Sequence, residues 1–120
     1  MEGAEWTGEF PGSVVVTDAE GTILYMNGRA AETFAAEGGA GLVGRDVRSV
    51  HPPAARVKVD RLFETKRLNA YTIEKNGMRK LIYQSPWYSG GEFAGFVELS
   101  LPLPSDMPHF VRGAKTGGKS

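Results

Sequence analysis

Gly44-Arg45-Asp46-Val47-Arg48-Ser49-Val50-His51-Pro52-Pro53 is the stretch around which this chain is organised, because it empties into the one long amphipathic run, 54–66. Pro53 suits the first turn of a helix, where its missing N–H is not needed. Ala55, Val59, Leu62 and Phe63 then recur at helical spacing, which predicts a helix with one apolar stripe and leaves Arg56, Lys58, Asp60, Arg61 and Glu64 mostly outside it. Val57 falls off the stripe and is expected to be exposed or to touch a partner. Upstream, the residue before a proline avoids helical geometry, so Pro52 ends a brief helix that begins near Gly44. His51 is thereby held at the mouth of the long helix, the one place where the sequence suggests a ligand.

Working outward, Ser13-Val14-Val15-Val16-Thr17 is a β-branched run of strand length, closed by Asp18-Ala19-Glu20-Gly21 and answered by Thr22-Ile23-Leu24-Tyr25-Met26, a hairpin pattern. Asn27 is a good N-cap for a helix over 28–37, with Ala30, Ala31, Phe34 and Ala35 at helical spacing and Gly38-Gly39 at its end. Residues 40–44 read as a turn or a single helical coil. After the long helix, 68–74 reads as a strand, and Asn76-Gly77 is the strongest hairpin signal in the chain. The return strand, 78–87, alternates Leu81, Tyr83 and Trp87 against Ile82, with Pro86 expected at the strand end or a bulge. A last strand, 93–101, sets Gly95, Val97, Leu99 and Leu101 against Phe96, Glu98 and Ser100, and Pro102, Pro104 and Pro108 stop regular structure. This order predicts an α+β fold, a five-stranded antiparallel sheet with short helices and one long helix on one face.

Length supports one domain, 12–104, between a flexible arm at 1–11 and a disordered tail at 105–120. Trp6 and Phe10 are positioned to pack the arm onto the domain or onto a second subunit. Lys plus Arg total 14 and Asp plus Glu total 14, so no net field draws the chain to nucleic acid or to an anionic membrane. With no cysteine, disulfides, thiolate metal sites, cysteine nucleophiles and a photoactive flavin adduct are excluded. No apolar run of membrane-spanning length and no export signal are visible, which points to the cytoplasm. Ser13, Ser49, Ser85 and Asp46 show no nucleophile elbow or well-spaced base, and Gly38-Gly39-Ala40-Gly41 lacks the Lys-Ser/Thr of a phosphate loop, so an enzyme is not expected.

Val15-Val16-Thr17-Asp18-Ala19-Glu20-Gly21-Thr22-Ile23-Leu24-Tyr25-Met26-Asn27 closely resembles the opening hairpin of PAS domains. Leu42-Val43-Gly44-Arg45-Asp46-Val47 and Gly91-Glu92-Phe93-Ala94-Gly95-Phe96-Val97-Glu98 are similar to later segments of the same family, and the likeness covers residues 12–101. His51-Pro52-Pro53 with its helix is similar to PAS modules of hemerythrin-associated bacterial sensor proteins. The resemblance implies bacterial signalling, a cavity between sheet and long helix, and transmission to a separate partner, since Pro102 and Pro104 stand where family members continue into a coiled-coil linker.

Candidate cavity residues are Phe34, Val50, His51, Val59, Leu62, Phe63, Tyr71, Tyr83 and Trp87, with Met26, Val97 and Leu99 beside them. His51 has three readings: a structural ring bonded to a backbone carbonyl, a pocket residue orienting a small ligand, or an axial haem ligand as in haem-binding PAS domains. Haem is the cofactor worth testing; noncovalent flavin has no supporting motif. Arg45 and Arg48 are candidates to clamp a carboxylate, and Tyr71 and Tyr83 to offer hydroxyls inward. His109, among prolines, reads as solvated, and two such histidines without an acid cluster make no metal site. The expected activity is sensing of a small, mostly apolar molecule, as a homodimer or with a signalling partner. The competing reading is a ligand-free interaction module.

Overall fold

The computed structural model describes residues 4–113. The β-branched run forms β1 (Ser13–Thr17) and pairs antiparallel with β2 (Ile23–Met26). Asp18 shapes the connection: its Oδ1 accepts from the backbone N–H of Glu20 (3.0 Å) and of Thr22 (2.9 Å), and Gly21 supplies the positive φ of 96°. Asn27 then caps α1 (Gly28–Thr33) through a 3.0 Å bond from the Ala30 N–H.

The single helix expected over 28–37 is shorter. The α-helix ends at Thr33, and a 3-10 turn, Ala35–Glu37, replaces its last part; a second, Gly39–Leu42, falls where a turn or single helical coil was expected. Gly38 (φ 132°) and Gly39 (φ 56°) take conformations that a helix cannot continue through. The brief helix read near Gly44 begins later, as a 3-10 turn at Val47–Val50. The delay has a cause: Gly44 N–H donates to the Ile23 carbonyl and Ile23 N–H to the Arg45 carbonyl, each at 2.8 Å, so a turn at 43–45 is tied to β2 before Asp46 caps the 3-10 turn through Arg48 N–H at 2.8 Å.

The long helix, α2 (Pro53–Thr65), starts on its proline and ends at Lys66, which is left-handed (φ 54°). β3 (Asn69–Lys75), the Asn76-Gly77 turn, β4 (Met78–Ser89) and β5 (Glu92–Leu103) complete a sheet ordered β2-β1-β5-β4-β3, antiparallel throughout. The last two strands outrun the sequence reading and carry Pro86 and Pro102 inside them. β3 pairs β4 only as far as Gln84, and β1 pairs β5 only as far as Ser100. Each proline therefore has a neighbouring strand on one side alone, where a missing donor is tolerated. The bulge lies just past Pro86, between Trp87 and Tyr88.

The buried core is off-centre. Val15, Ile23, Ala30 and Leu42 form it, with Met26, Phe34, Val47 and Val50 packed around them, all on the β1, β2 and short-helix side. By contrast β3 is exposed along its whole length and α2 contributes no fully buried residue. Residues 4–12, expected to be a loose arm, fold back on the well-packed half through a 3-10 turn at Glu5–Thr7, with Thr7 buried. Trp6 and Phe10 meet edge-on at 5.6 Å, and Trp6 stays 66% exposed. Residues 105–113 have no regular structure, and the tail expected to be disordered lies outside the described residues from 114 onward.

What ties the arm down is Asn27, 2% exposed. Its Oδ1 accepts from Val14 N–H (3.0 Å) and Ala30 N–H (3.0 Å), and its Nδ2 donates to the carbonyls of Thr7 (2.9 Å) and Gly12 (2.8 Å). Asn27→Ala removes all four bonds, the Thr7 carbonyl still accepting from Phe10 N–H (3.2 Å), and is expected to lower the unfolding free energy by roughly 3 kcal/mol, read as a drop in the urea midpoint at unchanged slope. Asn27→Asp, which sets a carboxylate oxygen against two carbonyls, should lose at least as much. A midpoint that stays put in both variants would show that the amide does not organise this half.

Candidate functional site

α2 is moored through Arg56 near its start, Asp60 in its middle and Phe63 toward its end. At the start, Arg56 Nε donates to the Arg48 carbonyl (3.0 Å) and to the His51 carbonyl (2.9 Å). The Arg48 guanidinium bonds Asp60 on α2, Asp46 (3.2 Å) and the Glu20 carbonyl (3.1 Å), and lies 5.0 Å from the centre of the Phe63 ring. The bond to Asp60 is the main reason its pKa rises above the ordinary value, against the opposing effect of desolvation. At the far end Phe63 packs on Phe96 (5.0 Å) and Phe93 (6.3 Å). Arg48, considered for clamping a ligand, is thus spent on Asp46 and Asp60, and Arg45 is exposed.

The stripe residues Ala55, Val59, Leu62 and Phe63 are nevertheless only half-buried, and two spaces that share lining residues open beneath them. The inner one is a narrow, mostly apolar cavity of about 60 Å³ reaching Phe34, Leu42 and Phe96. The outer one is a cleft of about 640 Å³ between α2 and strands β3 and β4, bordered by Ala55, Lys58, Arg61, Asn69 and Tyr71. His51, Val59, Leu62 and Gln84 border both spaces.

His51 stands at this junction with its ring fixed. Its Nδ1 lies 2.9 Å from the Val47 carbonyl, and a carbonyl oxygen can only accept, so Nδ1 carries the proton and Nε2 of the neutral ring is left as an acceptor. The ring therefore has both the backbone bond of the structural reading and a place on the cavity wall.

The floor carries a polar ladder that the sequence reading missed. Asn69, Gln84 and Glu98 are side by side in register on β3, β4 and β5. Asn69 Nδ2 donates to Gln84 Oε1 (2.7 Å), and Gln84 Nε2 donates to Glu98 Oε1 (3.2 Å). The Glu98 carboxylate, at the inner end, makes no ion pair among the described residues. The signal was present in the alternation: Gln84 and Glu98 share the parity of Ile82 and Phe96, the inward face.

That parity also separates the candidate residues. Phe34, Val50, His51, Val59, Leu62 and Phe63 come together around the inner cavity, with Met26, and Tyr71 borders the outer cleft. Tyr83 and Trp87 do not join them. Tyr83 pairs with Leu99 and Trp87 with Gly95, on the face turned away from α2, where Val97 also lies. There the Trp87 indole donates to the Thr17 carbonyl at 2.9 Å, and a Cβ at Gly95 (φ 143°) would collide with that same carbonyl. Neither space fits a haem macrocycle as it stands: the inner cavity has room for a few waters only, and the larger cleft is walled by Lys58, Arg61, Asn69 and Gln84 rather than by a flat apolar slot. No group of three or more metal-ligating side chains occurs among the described residues.

No family model and no curated protein sequence matches the chain. Solved structures do. A C-terminal domain from Streptococcus mutans is 20% identical with a TM-score of 0.68, over 81% of this chain and 79% of that one. The PAS domain of BvgS from Bordetella pertussis is 19% identical with a TM-score of 0.59, over 84% and 83%. The Aer2 receptor from Vibrio cholerae, a dual PAS-heme oxygen sensor, is 17% identical with a TM-score of 0.59, over 78% and 95%. At these identities the likeness is one of fold: the chain has the PAS fold.

Burial first, and the negative charge of Glu98 second, push the Tyr71 phenol above its ordinary pKa. The folded state thus holds this proton more tightly than the unfolded chain does. The resulting stability is complete while both states are protonated, and is lost as the pH rises through the folded value. Glu98→Gln is expected to move the phenol part of the way back, seen by ultraviolet pH titration against a Tyr71→Phe reference. An unchanged titration would leave burial as the sole cause.

Proposed function

We propose that this PAS-fold chain is a sensory domain that takes a small, mostly apolar molecule beneath α2 and reports its presence to a protein partner. The observation that carries this reading is the pair of spaces, sharing four lining residues, under a helix whose apolar stripe is only half-buried. Small-molecule sites are concave, largely apolar and furnished with a few converging polar groups. Here Phe34, Leu62, Phe63 and Phe96 supply the apolar wall, and His51, Gln84 and Glu98 the polar groups, with Tyr71 at the outer rim. The name of Aer2, a dual PAS-heme oxygen sensor, supports a sensory role, and the His51-Pro52-Pro53 likeness supports a bacterial signalling context.

A ligand acts only through its differential affinity for two arrangements. The arrangement available to it is the position of α2 and β3 over the cleft, since the opposite half is fixed by its core and by Asn27. The partner surface is the sheet face turned away from α2, where Leu81, Tyr83, Val97, Leu99 and Leu101 lie in register, together with exposed Trp6; a second copy of the chain is its first candidate. That apolar face is also what favours the second reading, an interaction module that docks or dimerises and binds no ligand. The chemistry required of the domain is binding alone.

Native mass spectrometry of freshly purified protein is expected to show a retained small molecule that is released on denaturation. Leu62→Trp, which fills the junction of the two spaces, should lose it while keeping the circular dichroism of the parent. A saturating ligand at about a hundred times its Kd should raise the melting temperature by roughly 10 °C. A protein that carries no adduct, and whose melting no metabolite raises, would favour the interaction module.

A further inference from the structure

Of the polar groups that border the inner cavity, His51 and Glu98 present acceptors and Gln84 one further amide N–H, and the carboxylate restricts what can enter. His51 Nδ1–H is used by the Val47 carbonyl, so the neutral ring presents the Nε2 lone pair. One Gln84 N–H is directed to Glu98, and Asn69 Nδ2 is directed to Gln84, so the ladder runs its donors toward the carboxylate. Glu98 receives that single 3.2 Å bond from Gln84 and has no ion pair among the described residues, although it lines a mostly apolar cavity. A carboxylate has room for about four hydrogen-bond contacts, so most of its capacity is open toward the cavity. The rings of Phe34, Phe63 and Phe96 line the same cavity, and the faces of such rings attract cations.

We infer that the ligand is a compact apolar or aromatic molecule bearing a protonated nitrogen, bound with that nitrogen on Glu98 at the inner cavity and with its apolar body in the larger outer cleft, His51 bordering both. A neutral donor would satisfy the acceptors but leave the carboxylate without an opposite charge, and an anion would be repelled by it. Lys58 and Arg61 border the outer cleft and not the inner cavity, so a molecule carrying both signs enters nitrogen first and leaves its acid at the rim. The field of Glu98 is already felt by Tyr71, whose phenol it helps to keep protonated. This assignment rests on the sensory reading above and adds the chemical class of the ligand.

The test compares three probes of similar shape by isothermal titration calorimetry: benzylamine, benzyl alcohol and benzoate. The native protein is expected to bind benzylamine about ten-fold more tightly than benzyl alcohol, the ratio that one charge-assisted bond commands, and to bind benzoate least. In Glu98→Gln, with its fold checked by circular dichroism, the amine should lose about that ten-fold while the alcohol keeps its affinity. Should Glu98→Gln not fold, the order of the three probes on the native protein decides by itself. Equal affinities for amine and alcohol, or tighter binding of benzoate, overturn the amine assignment and leave the sensory reading standing. Binding of none of the three also overturns the assignment, and the sensory reading falls with it only if native mass spectrometry shows no retained molecule.

Discussion

The carboxamide of Asn27 is the constraint on which the rest of this structure depends. One side chain accepts from two backbone N–H groups, on β1 and on α1, and donates to two carbonyls in the segment ahead of β1. Buried backbone groups without partners cost far more than a hydrogen bond earns on balance, so a residue that satisfies four of them at once fixes how the arm, the first hairpin and the first helix meet. Val15, Ile23, Ala30 and Leu42 then close over one another on the same side. With this half settled by a full polar complement and a dry core, the other half is free to be built differently.

It is built open. α2 reaches the body of the domain through Arg56 near its start, through Asp60 on Arg48 in its middle and through Phe63 toward its end, and its apolar stripe is only half-buried. Full burial of a Val, Leu or Phe side chain is worth about 1.5–3 kcal/mol, so part of that free energy is left unclaimed at Val59, Leu62 and Phe63. On the sensory proposal, a molecule seated in the cleft would complete it and so couple occupancy to the position of the helix. The position of His51 follows from the same construction. Its backbone N–H bonds the Arg48 carbonyl, its ring bonds the Val47 carbonyl, and Pro52 and Pro53 then turn the chain into α2.

Much of this was legible beforehand. The opening hairpin, the Asn27 cap, the Asn76-Gly77 turn, the stripe on α2 and the exposure of Val57 all follow from short-range rules, because each depends on residues a few positions apart. The boundaries that moved did so for long-range reasons. Gly44 and Arg45 were recruited to bond Ile23, which postponed the helix read near Gly44, and Pro86 and Pro102 were allowed inside strands because their neighbouring strands had already ended. The site was legible along α2 and only half legible on the sheet. Alternation correctly set Tyr83 and Trp87 on the face opposite Ile82, but the weight given to large aromatics drew them into the cavity list, while Gln84 and Glu98 were passed over as polar.

What the sequence determined by itself is local: where strands turn, where helices are capped, which side of each element is apolar, and that no thiol chemistry or net charge directs the function. What only the tertiary structure decided is which elements close and which stay apart. The register that aligns Asn69, Gln84 and Glu98 across three strands joins residues up to 29 positions apart, the span from 69 to 98, and no local pattern encodes it. The space under α2 is likewise a difference between the reach of its contacts and the height of the side chains between them. Such a difference exists only once both surfaces are in place.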